Sequence, residues 1–165
     1  MVHVYVPVTL AMLQRLVADR SVNAVNGTAF AVTPTLRESY AEGDEDELAD
    51  VALRDAALAS LRLLDDDTSG LPPRRAVLVA EAQEVKARPD LDDAVVRVAG
   101  SIAFDDVIAA YVDNADAESA VLAAVEAVDA ADLGDEDAEL VVGDAQDHDL
   151  AWYAPQELPF LLELL

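Results

Sequence analysis

The chain predicts an α+β fold, a mixed sheet with helices mainly on one face in a ferredoxin-like sandwich, and three observations carry that expectation. Ala76 to Ala80 is an unbroken apolar run that passes into alternation toward Val85, as in a strand covered on both faces at one end and half exposed at the other. Val2, Val4 and Val6 alternate with His3 and Tyr5, a second strand signal. Between and after these lie stretches with leucine or valine at helical spacing, so that two strand–helix–strand units can be drawn, Val2 to Val85 and Val107 to Tyr153, each with a right-handed crossover. A length of 165 residues suits one α+β domain over 1–165, burying about two thirds of the surface the unfolded chain exposes.

Taken in order, the first strand should stop at Pro7, which lacks a ladder donor. Thr9 then caps a helix to about Asp19, with Leu10, Leu13, Leu16 and Val17 on one stripe facing the sheet. Asn26-Gly27 marks a turn before a short extended piece that Pro34 closes, and Thr35 with Glu38 has capping-box spacing for a brief helix. The longest helix should run from about Asp44 to Leu64, because four acids at its start favour the positive end of the dipole and Leu48, Val51, Ala52, Leu58 and Leu61 form its apolar side. Residues 65–73 read as a loop. The run around Ala76 is expected as the central strand, with Ala94 to Gly100 as its antiparallel partner. Val107 to Asp113 is another strand, and Asn114 or Asp116 caps an alanine-rich helix to about Ala131 whose Val121, Val125 and Val128 should lie against the sheet. In the acidic stretch from Gly134 to Asp149, Leu140-Val141-Val142 fits a helix turn or an edge strand equally well. A last strand over 148–153 and a short helix over 155–165 complete the chain.

Thirty-four acids oppose ten bases, for a formal net charge of −24. Such a field repels phosphate, which excludes direct nucleic-acid binding through the backbone and disfavours anionic membranes. It attracts cations and basic proteins. Nine of the ten bases are arginine and Lys86 is the exception, a usage that a GC-rich genome favours and that a halophile would share. With no cysteine there is no disulfide, thiolate metal site or Cys nucleophile. No apolar run has the length of a signal peptide core or a membrane span, so a cytoplasmic protein is expected.

Chemistry is sparse. No serine stands in a Gly-x-Ser-x-Gly elbow, and no phosphate-cradling glycine motif occurs, so no catalytic constellation is visible and no cofactor is expected. Acid pairs such as Asp105-Asp106 carry little information in so acidic a chain, and no calcium-loop spacing is present. His3 and His148 are the two histidines. With Asp147 and Asp149 they form a weak metal-ligand set, which could assemble if the first and last strands were neighbours. At the C-terminal end Trp152, Tyr153, Phe160, Leu161 and Leu164 could form an apolar surface ringed by acids, as in a protein interface, although a core position is expected for Trp152 itself.

The opening Val2-His-Val-Tyr-Val-Pro-Val-Thr-Leu-Ala-Met-Leu13, the segment Gly27-Thr-Ala-Phe-Ala-Val-Thr-Pro-Thr-Leu-Arg-Glu-Ser-Tyr40 and the closing His148-Asp-Leu-Ala-Trp-Tyr-Ala-Pro-Gln-Glu-Leu158 together resemble a family of small acidic actinobacterial proteins of unknown function. The resemblance implies a cytoplasmic bacterial protein and carries no active site with it. The leading expectation is a non-enzymatic module that binds a basic protein partner or self-associates, with DNA mimicry as its sharper form. A small metal-dependent enzyme or regulator using the His and Asp set is the alternative.

Overall fold

One antiparallel sheet with helices on both faces organises the protein in the computed structural model, which describes residues 2–165. The elements are β1 (Val2–Val8), α1 (Leu10–Asp19), β2 (Ser21–Val22), β3 (Thr28–Phe30), α2 (Pro34–Ser39), α3 (Glu45–Asp65), β4 (Ala76–Ala82), β5 (Val85–Ala87), β6 (Val95–Val98), β7 (Ile102–Ala103), β8 (Val107–Val112), α4 (Glu118–Asp132), α5 (Glu136–Gln146), β9 (Ala151–Tyr153) and α6 (Leu158–Glu163). The main sheet has the order β5-β6-β3-β1-β4-β8-β9, and β2 pairs with β7 separately.

The class is α+β, but the expected mixed sheet is corrected, since every pairing is antiparallel. The parity of the helices explains why. A single helix between two strands returns the chain to its starting end and gives parallel neighbours, whereas a helical hairpin brings it back to where the first strand finished. Between β8 and β9 the chain forms such a hairpin, α4 followed by α5, and Val112 therefore lies opposite Ala151. The excursion between β1 and β4 likewise ends where it began, with Val8 opposite Ala76. The strand order also departs from the ferredoxin-like sandwich, in which neighbours derive from a split strand–helix–strand unit.

Helices mainly on one face is corrected as well. Val4, Val6 and Val8 of β1 pack with Leu10, Leu13 and Leu16 of α1 and with Leu158 and Leu161 of α6. On the opposite face Phe30, Val77 and Val95 meet Leu48, Ala52 and Ala56 of α3, with Tyr5 and Tyr111 at the margin. The far end of α3 then supports a third layer, where Leu61 and Leu64 pack with Val121, Ala124 and Val128 of α4 and Val142 and Ala145 of α5. Thus α4 rests on α3 rather than on the sheet. Small residues along both helices allow their close approach.

The buried start of β4 accords with its apolar run, for its first five residues are covered and its last two half exposed. It lies between β1 and β8, and β1 is the middle strand. The segment around Val95 pairs with β3 and β5 instead of with β4. Pro7 does not end β1, which continues to Val8; it sits at the penultimate position, beyond the single β3 pairing at Tyr5. Thr9 and Asp44 cap α1 and α3 as expected, accepting from the Met12 and Glu47 backbone N–H groups at 3.3 and 2.9 Å, and Asp135 caps α5 by accepting from Ala138 N–H at 2.9 Å. The cap expected for α4 at Asn114 or Asp116 does not form: a short 3-10 turn over Ala115–Ala117 intervenes and the helix starts after Ala117 with no side-chain cap. At α2 the cap is Thr33 rather than Thr35, accepting from Leu36 N–H at 3.1 Å, because Pro34 is pre-organised for the first helical position. The Asn26-Gly27 turn forms with φ of 57° and 69°, and a Cβ at Gly27 would stand 3.0 Å from the Val98 carbonyl oxygen, so glycine is required there.

Candidate functional site

The register of β4 with β8 builds a buried ion pair at the end of the sheet. Ala76 lies opposite Val112, so the flanking residues Arg75 and Asp113 face each other. Their backbones are joined by the Asp113 N–H donating to the Arg75 carbonyl at 3.0 Å. Asp113 Oδ2 accepts the Arg75 backbone N–H at 2.8 Å and Nε at 2.9 Å, and Oδ1 accepts Nη2 at 2.8 Å. The side chains are 3% and 0% exposed. A bidentate pair of this kind satisfies two charges that burial would otherwise make costly. Arg75 Nη2 also donates to the His148 carbonyl at 2.8 Å, which fixes the α5–β9 connection over the end of the sheet.

Between that connection and α3 opens a cleft of about 680 Å³. Asp50, Leu53, Arg54 and Ala57 of α3 form one wall, Gly143 and Gln146 of α5 with Asp147, His148, Asp149 and Leu150 the other, and Arg75 and Tyr111 lie between them. Arg54 sits 3.8 Å from Asp50, one helical turn away, and both are exposed. Burial, with Tyr111 and Asp50 adding to it, pushes the Tyr5 phenol above its ordinary range. The cleft has the size of a small-ligand site and mixes apolar wall with convergent polar groups.

The weak metal set does not assemble. His3 is exposed on β1, 3.7 Å from Glu81 across the sheet, and its strand is separated from β9 by β4 and β8. His148, Asp147 and Asp149 line the cleft, yet among the described residues no group of three or more His, Asp or Glu is placed to hold a metal ion. Asp105 approaches Arg20 at 3.6 Å.

The C-terminal aromatics divide between the two faces of the sheet. Trp152 is 57% exposed on β9, in register with Tyr111, which corrects its expected place in the core. Tyr153 points the other way and is partly buried beside α1 and α6. In α6, Leu158 and Leu161 are buried while Phe160 and Leu164, four residues apart, are 70% and 84% exposed. Leu161 is therefore corrected from surface candidate to core residue; helical period separates it from its neighbours.

Several features escape sequence reasoning. The Arg75–Asp113 pair had a faint signal, a charged residue abutting each of two apolar strands, but only their register joins them. Asp55 on α3 is another: burial first, then Asp92 and Asp93, raises its carboxyl from 3.8 to about 6. Charge segregation, by contrast, is written in the sequence itself. After Arg97 the chain has no lysine or arginine, yet Val98 to Leu165 contains seventeen carboxylates. Seven of the nine arginines lie in ion pairs with carboxylates, among the described residues.

Sheet, flanking helices and a polar cleft at the sheet's end define an α+β protein whose chemistry is legible only in its charge and its concavity. The chain belongs to the family described as a family of unknown function (DUF6912), whose model matches residues 2–162. No curated protein and no solved structure matches it. No helix among the described residues is long and apolar enough to cross a membrane.

Proposed function

We propose that this protein is a non-enzymatic acidic interaction module whose partner is a basic protein. The observation that carries the reading is the charge segregation: the hairpin of α4 and α5 and the segment after it carry carboxylates with no intervening cation. Leu122, Leu133 and Leu140 are exposed on that hairpin, and Trp152, Phe160 and Leu164 beyond it. Apolar contacts of this kind resist salt, while the surrounding carboxylates steer a positive partner. A second copy of the chain is less favoured, since association would bring two net charges of −24 together. In the sharper form, the carboxylates stand in for phosphates and the partner is a DNA-binding protein in the cytoplasm.

The test begins with capture on the immobilised protein from nuclease-treated lysate, followed by binding of the purified partner at several salt concentrations. Replacement of Glu136, Asp137 and Glu139 by their amides should weaken binding and flatten its salt dependence, because exposed charges are screened over about 10 Å at 0.1 M salt. The same replacements at Asp65, Asp66 and Asp67 should have a smaller effect. Equal binding by all three proteins would overturn the reading, and competition by duplex DNA would select the mimic form.

A further inference from the structure

We propose that the cleft between α3 and the α5–β9 connection binds a small organic cation bearing a neutral carbonyl acceptor and an apolar body. Arg75 supplies the first argument. It is 3% exposed and lines the cleft, and the hydrogen bonds of its guanidinium to Asp113 and the His148 carbonyl use Nε and Nη2. Nη1 has no such partner among the described residues. Among the described residues the buried side-chain nitrogen left unsatisfied is Arg97 Nε, so Arg75 Nη1 is not sealed from solvent, and the cleft is the cavity that Arg75 lines. A donor without a protein partner thus stands at the cleft.

Charge decides what it takes. Asp113 already neutralises Arg75, while Asp50, Asp147 and Asp149 outnumber Arg54 around the rest of the lining. A carboxylate ligand would meet net negative charge, whereas a neutral carbonyl can accept from Nη1 and an ammonium can face the aspartates. Leu53, Ala57, Tyr111 and Leu150 offer the apolar wall. Gly143 supplies an independent argument. It stands inside α5, where glycine disfavours the helix relative to alanine, and a Cβ built on it meets nothing within 4 Å. Packing therefore does not require this glycine, which lines the cleft with backbone alone.

The proposal does not depend on a protein partner at the acidic hairpin, and the two can fail separately. Its test is a titration of the full chain with L-phenylalaninamide, followed by backbone amide shifts in NMR. Shifts should centre on residues 50–57, 111 and 143–150. Phenylalanine and 3-phenylpropanamide, which respectively add a carboxylate and remove the amine, should each bind about tenfold more weakly or worse. Asp50→Asn and Gly143→Leu should each weaken binding by about tenfold, and Gly143→Leu should do so without lowering the melting temperature. Absence of shifts in this region, or undiminished binding by Gly143→Leu, would overturn the proposal. Tighter binding of Phe-Gly-Gly-Gly-amide would also overturn it, by assigning the cleft to a polypeptide terminus.

Discussion

Replacing Asp55 with asparagine should stabilise the protein at neutral pH and leave it unchanged near pH 4. Asp55 lies half buried on α3, with Asp92 and Asp93 nearby, and its carboxyl is raised from 3.8 to about 6. The folded protein therefore holds a proton between about pH 4 and pH 6 that the unfolded chain has released, and stability falls as pH rises through that window. A shift of about two pH units corresponds to ~3 kcal/mol, and water reaching a half-buried group reduces this to about 1–2 kcal/mol. Asparagine keeps the shape and cannot ionise, so Asp55→Asn removes the penalty above pH 6. Urea unfolding of both proteins between pH 4 and pH 8 measures it. With a slope of about 2 kcal/mol per molar urea, the variant's midpoint should exceed that of the parent by about 0.5–1 M at pH 7.5, the gap closing toward pH 4. Comparison of the pair cancels the general repulsion among the other carboxylates. A gap that does not change with pH, or a variant less stable at pH 7.5, would refute the assignment.

Asp113→Ala should cost about 3–5 kcal/mol by leaving Arg75 buried without its partner, while the double variant Arg75→Met, Asp113→Leu should recover most of that loss; denaturant midpoints of the three proteins decide it. Ser60 is buried between sheet and helix, donating to the Val8 carbonyl at 2.7 Å and accepting the Ala76 N–H at 3.0 Å. Its replacement by alanine should destabilise by about 1–3 kcal/mol through two orphaned backbone groups, measured in the same assay. Trp152 is the only tryptophan, and its exposure predicts red-shifted emission readily quenched by neutral acrylamide in the folded protein; protected, blue-shifted emission would place it in the core.

Much of the local structure is legible in the sequence because it rests on near neighbours. The Thr9 cap with its Leu10, Leu13 and Leu16 stripe, the Asp44 cap with the acids behind it, and the Asn26-Gly27 turn each depend on residues within one or two turns of chain. The apolar run at Ala76 likewise announced a strand covered on both faces. Leu140 to Val142 was ambiguous because a short apolar run has the same pattern in either state, and that ambiguity spread. Whether α5 exists determines whether the chain returns to the same end of the sheet, and hence whether β9 runs antiparallel to β8.

The candidate cleft was half visible. The sequence marks Asp147, His148 and Asp149 only as weak metal ligands, while Arg75, Asp50 and Tyr111 carry no signal that links them. Periodicity, capping and composition by themselves determined the longer helices and strands, the α+β class and the negative field, but not α5 or the short strands β2, β5 and β7. Strand order, the placing of α4 on α3, the exposure of Trp152 and the convergence of Arg75 with Asp113 and the His148 carbonyl were decided only in the tertiary structure. The physical reason is distance along the chain: Arg75 and Asp113 are separated by 38 residues, and only the β4–β8 register brings them together.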